Sequence, residues 1–547
     1  MLNIKKLNKA IQYVKNKDFD SAEKIYSELL REYPNDDTVL SFWGLFNIKK
    51  GLFKKAEKIL EKSYSLKKAP STIAALILTK YQLKKYDDTI ILCEEMFKYD
   101  KDSEHLYQKI IECFRFLNMY NFAGAYCQKY ITAHPESPTA KVRLCQNYMD
   151  IRDYKKAEKL CAEIMKSYPQ NPLNWINAGL LQELIYNNEE YAQECYKQAI
   201  ELNFPIGYYH LAVSLQKVGK FEEAEKNYKK AYEYFPTDND IKASIGCFYL
   251  QQRNFEQGFD WFNQREKSKT VETLKNFYSE CNKDSTVLVY SDMGLGDGLQ
   301  FSRYLPYLKE KCKNVIAYVR KPLTKILQRS FPDIKFYDSG LADLEYDTSL
   351  LMVGLPYYLN MLYSDIPMSD GYLNADEEKV QYFKDKYFKT DKLKVGLCWR
   401  AGDLSIRTAI NRTINIDYFK SLLELENVEF YSFQKDDIFD ACKKYPQIID
   451  LSKEFDSFDD TASAMKNLDL MISIDSACIH LAGALGVKSL LLLPYCTDWR
   501  WFDNTQTTEW YSSVQIIKQV ERQDWFKEID KCKQFVMNMI KKVNSMN

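Results

Sequence analysis

At 547 residues the chain exceeds what one hydrophobic core serves, so two or three folded units are expected. Lys+Arg and Asp+Glu balance at 76 each, which removes the electrostatic case for a nucleic-acid or anionic-membrane partner. Hydrophobic content of 46% places it among globular proteins, and no apolar run nears the ~20 residues of a membrane helix.

The N-terminus, MLNIKKLNKAIQYVKNKDFD, has no apolar signal region. With 14 Cys and no CxxC pair, the thiols are expected to be reduced and the chain cytoplasmic. A small residue recurs at Ala22, Ala56, Thr89, Ala123, Ala157, Ala192, Ala224 and Gly258. The intervals scatter about 34 residues. Four positions later comes a bulkier side chain, such as Tyr26, Leu60 or Tyr228, and twelve later Pro34, Pro135, Pro169 and Pro236. FKKAEKIL, YKKAEKLC and FEEAEKNY are near copies. This is the tetratricopeptide period, one helix–turn–helix per repeat. One such pair cannot bury its apolar face alone, so about eight stack into a superhelix over residues 1–262. Its groove suits an extended peptide or protein. A helical bridge is expected at 263–284.

TVLVY (286–290) then opens an α/β half. SDMGLGDGLQ follows, with Gly294 and Gly296 in a tight turn and Asp297 at the turn or first helical position. The dinucleotide fingerprint G-x-G-x-x-G and the Walker motif are absent. VIAYV, IKFYD and SLLMVGLPYYL complete a small lobe over 285–390. KVGLCW (394–399) starts a second lobe over 391–547, and Arg400, Arg407 and Arg412 follow in its strand-end loop, where guanidinium forks suit a diphosphate or carboxylate. NVEFYSFQ ends in Gln434.

MISIDSACIHLAGALGVKSLLLLPY (471–495) reads as strand, turn, helix, strand. Asp475 ends the first strand, Ser476 is a candidate N-cap before Ala477, and His480 lies one turn in. Gly486 stands where the helix stops. A carboxylate, a hydroxyl and a free helix start at one strand end face the crevice where open α/β sheets bind ligands. TDWRWF places Asp498 and Arg500 among aromatics at the next strand end. No His/Cys/carboxylate group has metal-ligand spacing, so neither metal nor cofactor is expected.

Taken together, GLGDGLQFSRYLPYL, VGLCWRAG, NRTI, DDTASAM, LDLMISIDSACIHLAGALGVKSLLLLPY and DWRWF resemble glycosyltransferase family 9, the ADP-heptose heptosyltransferase-like group, over about residues 285–520. The resemblance implies an α-solenoid followed by a GT-B fold of two Rossmann-like lobes. It implies an inverting, metal-independent glycosyltransferase that takes a nucleotide-diphosphate sugar as co-substrate. Asp297 falls at the family's general base. Asp475, Ser476, Ala477 and His480 fall on its D-T-x-x-x-H-L motif, with Ser for Thr. Arg400, Arg412, Gln434 and the Gly294/Gly296 turn fall on the donor side. The first lobe is shorter than in lipopolysaccharide enzymes, which opens the repeat groove as the place for a protein or glycan acceptor. The alternative is a repeat scaffold whose α/β half is a vestigial sugar-nucleotide module.

Overall fold

In the computed structural model, residues 2–264, 269–277, 280–402, 412–435, 439–502, 506–522 and 524–546 are described. The chain divides into two compact units, Met1–Val218 and Gly219–Asn547.

The first unit is helical throughout. Helix pairs run from Ile4–Lys15 with Phe19–Glu32 up to Pro172–Leu181 with Glu189–Glu201, and Ile206–Lys217 closes the unit. The recurring small residues sit on the second helix of each pair and are fully buried, because only a short side chain lets the paired helices approach. The bulkier residues four positions on are buried as well. The expected prolines lie two residues beyond the ends of their helices, as at Glu32 and Pro34. The one 35-residue interval, from Ala157 to Ala192, holds a π-helical turn at Gln182–Tyr186. The inserted residue is absorbed as a bulge within the helix rather than as a longer loop.

The second unit begins with the rest of the array, helices Phe221–Tyr234, Asn239–Gln251 and Phe255–Asn263. Between this array and the first strand the only helix among the described residues is Lys269–Glu272, so the described part of the expected helical bridge is mostly irregular. Two parallel sheets follow. The first has β1 (Thr286–Tyr290), β2 (Asn314–Tyr318), β3 (Lys335–Tyr337) and β4 (Thr348–Leu351) in the order β3-β2-β1-β4. The second has β5 (Leu393–Cys398), β6 (Val428–Ser432), β7 (Ile448–Asp450), β8 (Leu470–Ile474), β9 (Ser489–Leu493) and β10 (Val514–Lys518), in the order β10-β9-β8-β5-β6-β7. Both are doubly wound. Strand order reverses between β1 and β4 in the first sheet, and between β5 and β8 in the second. β7 was not expected; its three residues in KYPQIIDLS are too few to carry a period.

Charged side chains join the lobes, with Asp459 and Arg303 buried among them. Arg329 on the helix Thr324–Ser330 pairs with Asp459 and, at 2.8 Å, with Asp376, and Lys379 reaches Asp459 at 3.0 Å. Burial pushes the Asp459 carboxyl up, but Arg329 and Lys379 outweigh it and hold it below the usual range. Arg303 is fully buried, and among the described residues it has no carboxylate partner. Its guanidinium donates to the carbonyls of Pro367 (3.2 Å) and Trp510 (2.7 Å) and to the Tyr372 hydroxyl (3.2 Å). It also lies over the rings of Tyr372 and Tyr511, 4.7 Å from each centroid.

The Phe255–Asn263 helix packs on both lobes. Phe255 stacks on Trp510 at 5.9 Å, and Phe259 meets Phe301 edge-on at 6.4 Å and Trp499 at 6.1 Å. The helices read from the sequence as the end of the repeat array thus share a hydrophobic core with the sheets.

Candidate functional site

The site forms where the two strand-order reversals place their loops. After β1 the chain turns through Gly294 into the helix Leu295–Phe301. Asp297 lies in the first turn of that helix, and its Oδ2 accepts the Gly294 N–H at 3.0 Å. After β8 it turns through Asp475 and Ser476 into the helix Ala477–Ala484. The two helix starts nearly touch. A Cβ on Gly296 would lie 2.8 Å from His480 Cδ2, so glycine is required there for the close approach. At the far end Gly486 has φ +69°, the left-handed stop read from the sequence.

Gly294, Gly296, Asp297, Arg400, Arg412, Gln434, Asp475, Ser476, Ala477, His480, Asp498 and Arg500 all line one cavity of about 560 Å³. That size falls within the range of small-molecule sites. Arg407 lies outside the described residues. Sequence reading missed the wall made by Cys398, Phe433, Phe455, Phe458 and Thr461. Its only signal was the DDTASAM helix start, where Asp460 Oδ2 accepts the Ser457 N–H at 3.0 Å.

Several residues do something other than their position indicated. Ser476 is the N-cap residue, but its hydroxyl does not cap; it sits 3.3 Å from Ser473 Oγ and 3.6 Å from Cys398 Sγ. No side chain caps this helix, and the residues bearing its first N–H groups line the cavity. Gln434 is tied to the chain rather than held for a ligand. Its Oε1 accepts the Arg400 N–H (3.0 Å) and its Nε2 donates to the Arg400 carbonyl (2.8 Å), which fixes the β5-end loop. The Arg400 guanidinium is left with a buried Nε that has no partner. Arg412 pairs with Asp475 at 3.2 Å, and Arg500 pairs with Asp297 and with Asp498 at 2.8 Å.

The charges follow from burial. Desolvation and the neighbouring Asp498 push the Asp475 carboxyl up, against Arg412. Desolvation acts upward on Asp498 too, but Arg500 overrides it and holds that carboxyl down. His480 is buried, stacked on Trp501 at 5.2 Å, with Nδ1 3.0 Å from the Tyr511 hydroxyl. Burial, then Arg500, depress its pKa to about 3. It is a neutral hydrogen-bonding group and adds no positive charge for a phosphate.

This predicts a pH effect on folding. The unfolded chain takes up the His480 proton near pH 6.5 and the folded chain near 3, so stability falls as pH drops through 6.5. Between pH 7 and pH 5 the loss is about 2 kcal/mol. Urea midpoints should show it in the native chain and not in His480→Gln. Equal slopes would mean that His480 is not held neutral.

Among the described residues no group of His, Cys, Asp and Glu is arranged to hold a metal ion, and no helix is long and apolar enough to cross a membrane. The fourteen cysteines are free thiols.

Family models described as "Tetratricopeptide repeat" match residues 7–36 and 205–238. The N-terminal half is a tetratricopeptide-repeat array. Such arrays are protein-interaction modules. Protein FlbA of Caulobacter vibrioides is 23% identical over 263 residues, a match that covers 42% of this chain and 43% of FlbA. The chain therefore spans less than half the length of that relative. Among solved structures, yeast Tom70 is 18% identical, with 48% of this chain and 56% of Tom70 covered at a TM-score of 0.36. A tetratricopeptide repeat protein of Parabacteroides merdae is 15% identical, with 43% and 95% covered at a TM-score of 0.34.

Proposed function

We propose that the second half is a GT-B-type glycosyltransferase, and that the repeat array recruits its protein or glycan acceptor. The observation that carries this reading is convergence. A first-turn carboxylate after β1, arginines after β5 and an uncapped helix start after β8 line one cavity, at the strand ends where doubly wound sheets bind nucleotides. The donor is a nucleotide-diphosphate sugar. Its diphosphate lies against Arg400, Arg412 and the N–H groups at Ser476–Cys478, which meet the negative charge without a metal. Asp297 takes the acceptor hydroxyl proton as the oxygen bonds to the anomeric carbon, and the diphosphate leaves with the electrons of its bond to that carbon. Transfer is inverting, because the attack comes from the face opposite the leaving diphosphate.

Melting of the full chain with ADP-, GDP-, UDP- and CDP-sugars tests the donor site. A ligand at a hundred times its dissociation constant stabilises by about 2.7 kcal/mol. One nucleotide class should raise the melting temperature, Ser476→Trp should abolish the rise, and Asp297→Asn should keep the rise but lose transfer. The second reading, a repeat scaffold with a vestigial module, draws on the pairing of Asp297 with Arg500 and Asp475 with Arg412, which leaves much of the cavity's charge internally neutralised. No shift with any of the four sugars would favour it.

A further inference from the structure

Arg500 is fixed from every side. Its Nη2 donates to Asp297 Oδ1 and its Nη1 to Asp498 Oδ1 at 2.8 Å. Its backbone N–H donates to the same Asp498 oxygen at 3.1 Å, and its carbonyl accepts the Trp510 indole N–H at 2.7 Å. The guanidinium lies over Trp499, 4.4 Å from the ring centroid.

The backbone that delivers it is strained. Phe502 has φ 52° and ψ 177°, a region almost reserved for glycine. A side chain held there persists only where the surroundings over-determine it. Those surroundings are an aromatic box. Tyr363 meets the Phe502 ring edge-on at 4.9 Å, Trp510 lies parallel at 6.4 Å, Phe255 lies at 6.4 Å, and the Arg253 guanidinium sits 5.1 Å above it. Arg253 and Phe255 belong to the last helical pair of the array. The same pair sends Phe259 against Phe301, on the helix of Asp297, and against Trp499, which flanks Arg500.

We propose that Arg500 is a positioning residue that aims the Asp297 carboxylate into the cavity, and that the last helical pair holds the two in register through Phe255 and Phe259. This rests on the reading of Asp297 as the general base. Arg500 and Asp297 lie 203 residues apart on different lobes, so their meeting is set by packing. A single guanidinium N–H on Oδ1 leaves further acceptor sites on the carboxylate for a hydroxyl. A base must sit within hydrogen-bond reach of its proton, and displacement by about 1 Å costs about 100-fold in rate.

Two measurements on the full-length chain decide it. The first is a double-mutant cycle of Arg500→Gln and Asp297→Asn, read as melting temperature without ligand. The shift from Asp297→Asn should largely vanish in the Arg500→Gln background; an additive cycle overturns the proposal. The second is nucleotide release from ADP-, GDP-, UDP- and CDP-sugars with water as acceptor. Arg500→Gln should lower kcat about 100-fold with KM unchanged. Arg500→Lys should recover part of that loss, and Phe259→Ala should move kcat the same way. Wild-type kcat in Arg500→Gln overturns the proposal, as does an equal loss in Arg500→Lys with a raised KM, which marks a merely structural role. Should the native chain neither release nucleotide from any of the four nor melt higher with any of them, the transferase reading falls, and the cycle alone decides whether Arg500 holds Asp297.

Discussion

A fragment starting at Ser285, where the sequence places the first lobe, is expected to be insoluble, whereas one starting at Gly219 should melt cooperatively. The difference is the helix Phe255–Asn263. Phe255, Phe259 and Phe262 are each nearly inaccessible to solvent. Burying one such ring stabilises by about 1.5–3 kcal/mol, so the three together contribute about 5–9 kcal/mol. That is comparable with the whole folding free energy of a domain, about 5–15 kcal/mol. The shorter fragment would also leave Phe301, Trp499 and Trp510 facing water. Expression of both fragments, followed by calorimetry, checks this. Equal solubility and equal melting temperatures would show that the last helical pair is dispensable to the sheets.

The second large effect is expected at Arg303. Arg303→Ala removes a fully buried side chain and strands the carbonyls of Pro367 and Trp510, while the Tyr372 hydroxyl keeps its bond to the Leu299 carbonyl. The cavity and the unpaired acceptors together should cost about 3–5 kcal/mol. Arg303→Met fills most of the volume and separates the two contributions. If Met matches the native urea midpoint, the hydrogen bonds only offset the cost of burying the charge. If Met falls as far as Ala, the bonds dominate. A loss below about 1 kcal/mol for Ala would mean that water enters and satisfies the freed acceptors.

The repeat register was fully legible in the sequence, because each buried small residue and each terminal proline answers to a spacing within one helical pair. Most strands were legible for the same reason. The polar side of the cavity was legible too, since Asp297, Asp475 and Ser476 follow strands whose ends a doubly wound sheet brings to one edge, whereas the wall from Cys398 and Phe433 to Thr461 was not. What each lining residue does there was not. Gln434 spends its amide on the Arg400 backbone, and His480 stays neutral because it is buried and because Arg500, twenty positions away in the chain, is close by. Arg500 meets Asp297 across two lobes. Local patterns hold no record of such contacts. Nor do they record burial around an arginine, so Arg303 in GLQFSRYLPYL reads as an ordinary helical charge.

The unit boundary falls between Val218 and Gly219, in the turn inside the seventh helical pair. A compact unit therefore ends inside one of the recurring segments. Duplication or loss of a repeat among the first six would lengthen or shorten the array with every residue of the cavity wall left as it is. The same event in the last pair would remove or displace Phe255 and Phe259. Descendants of such a gene should vary in repeat number at the front of the array and keep a constant spacing from Gly219 to Asp297.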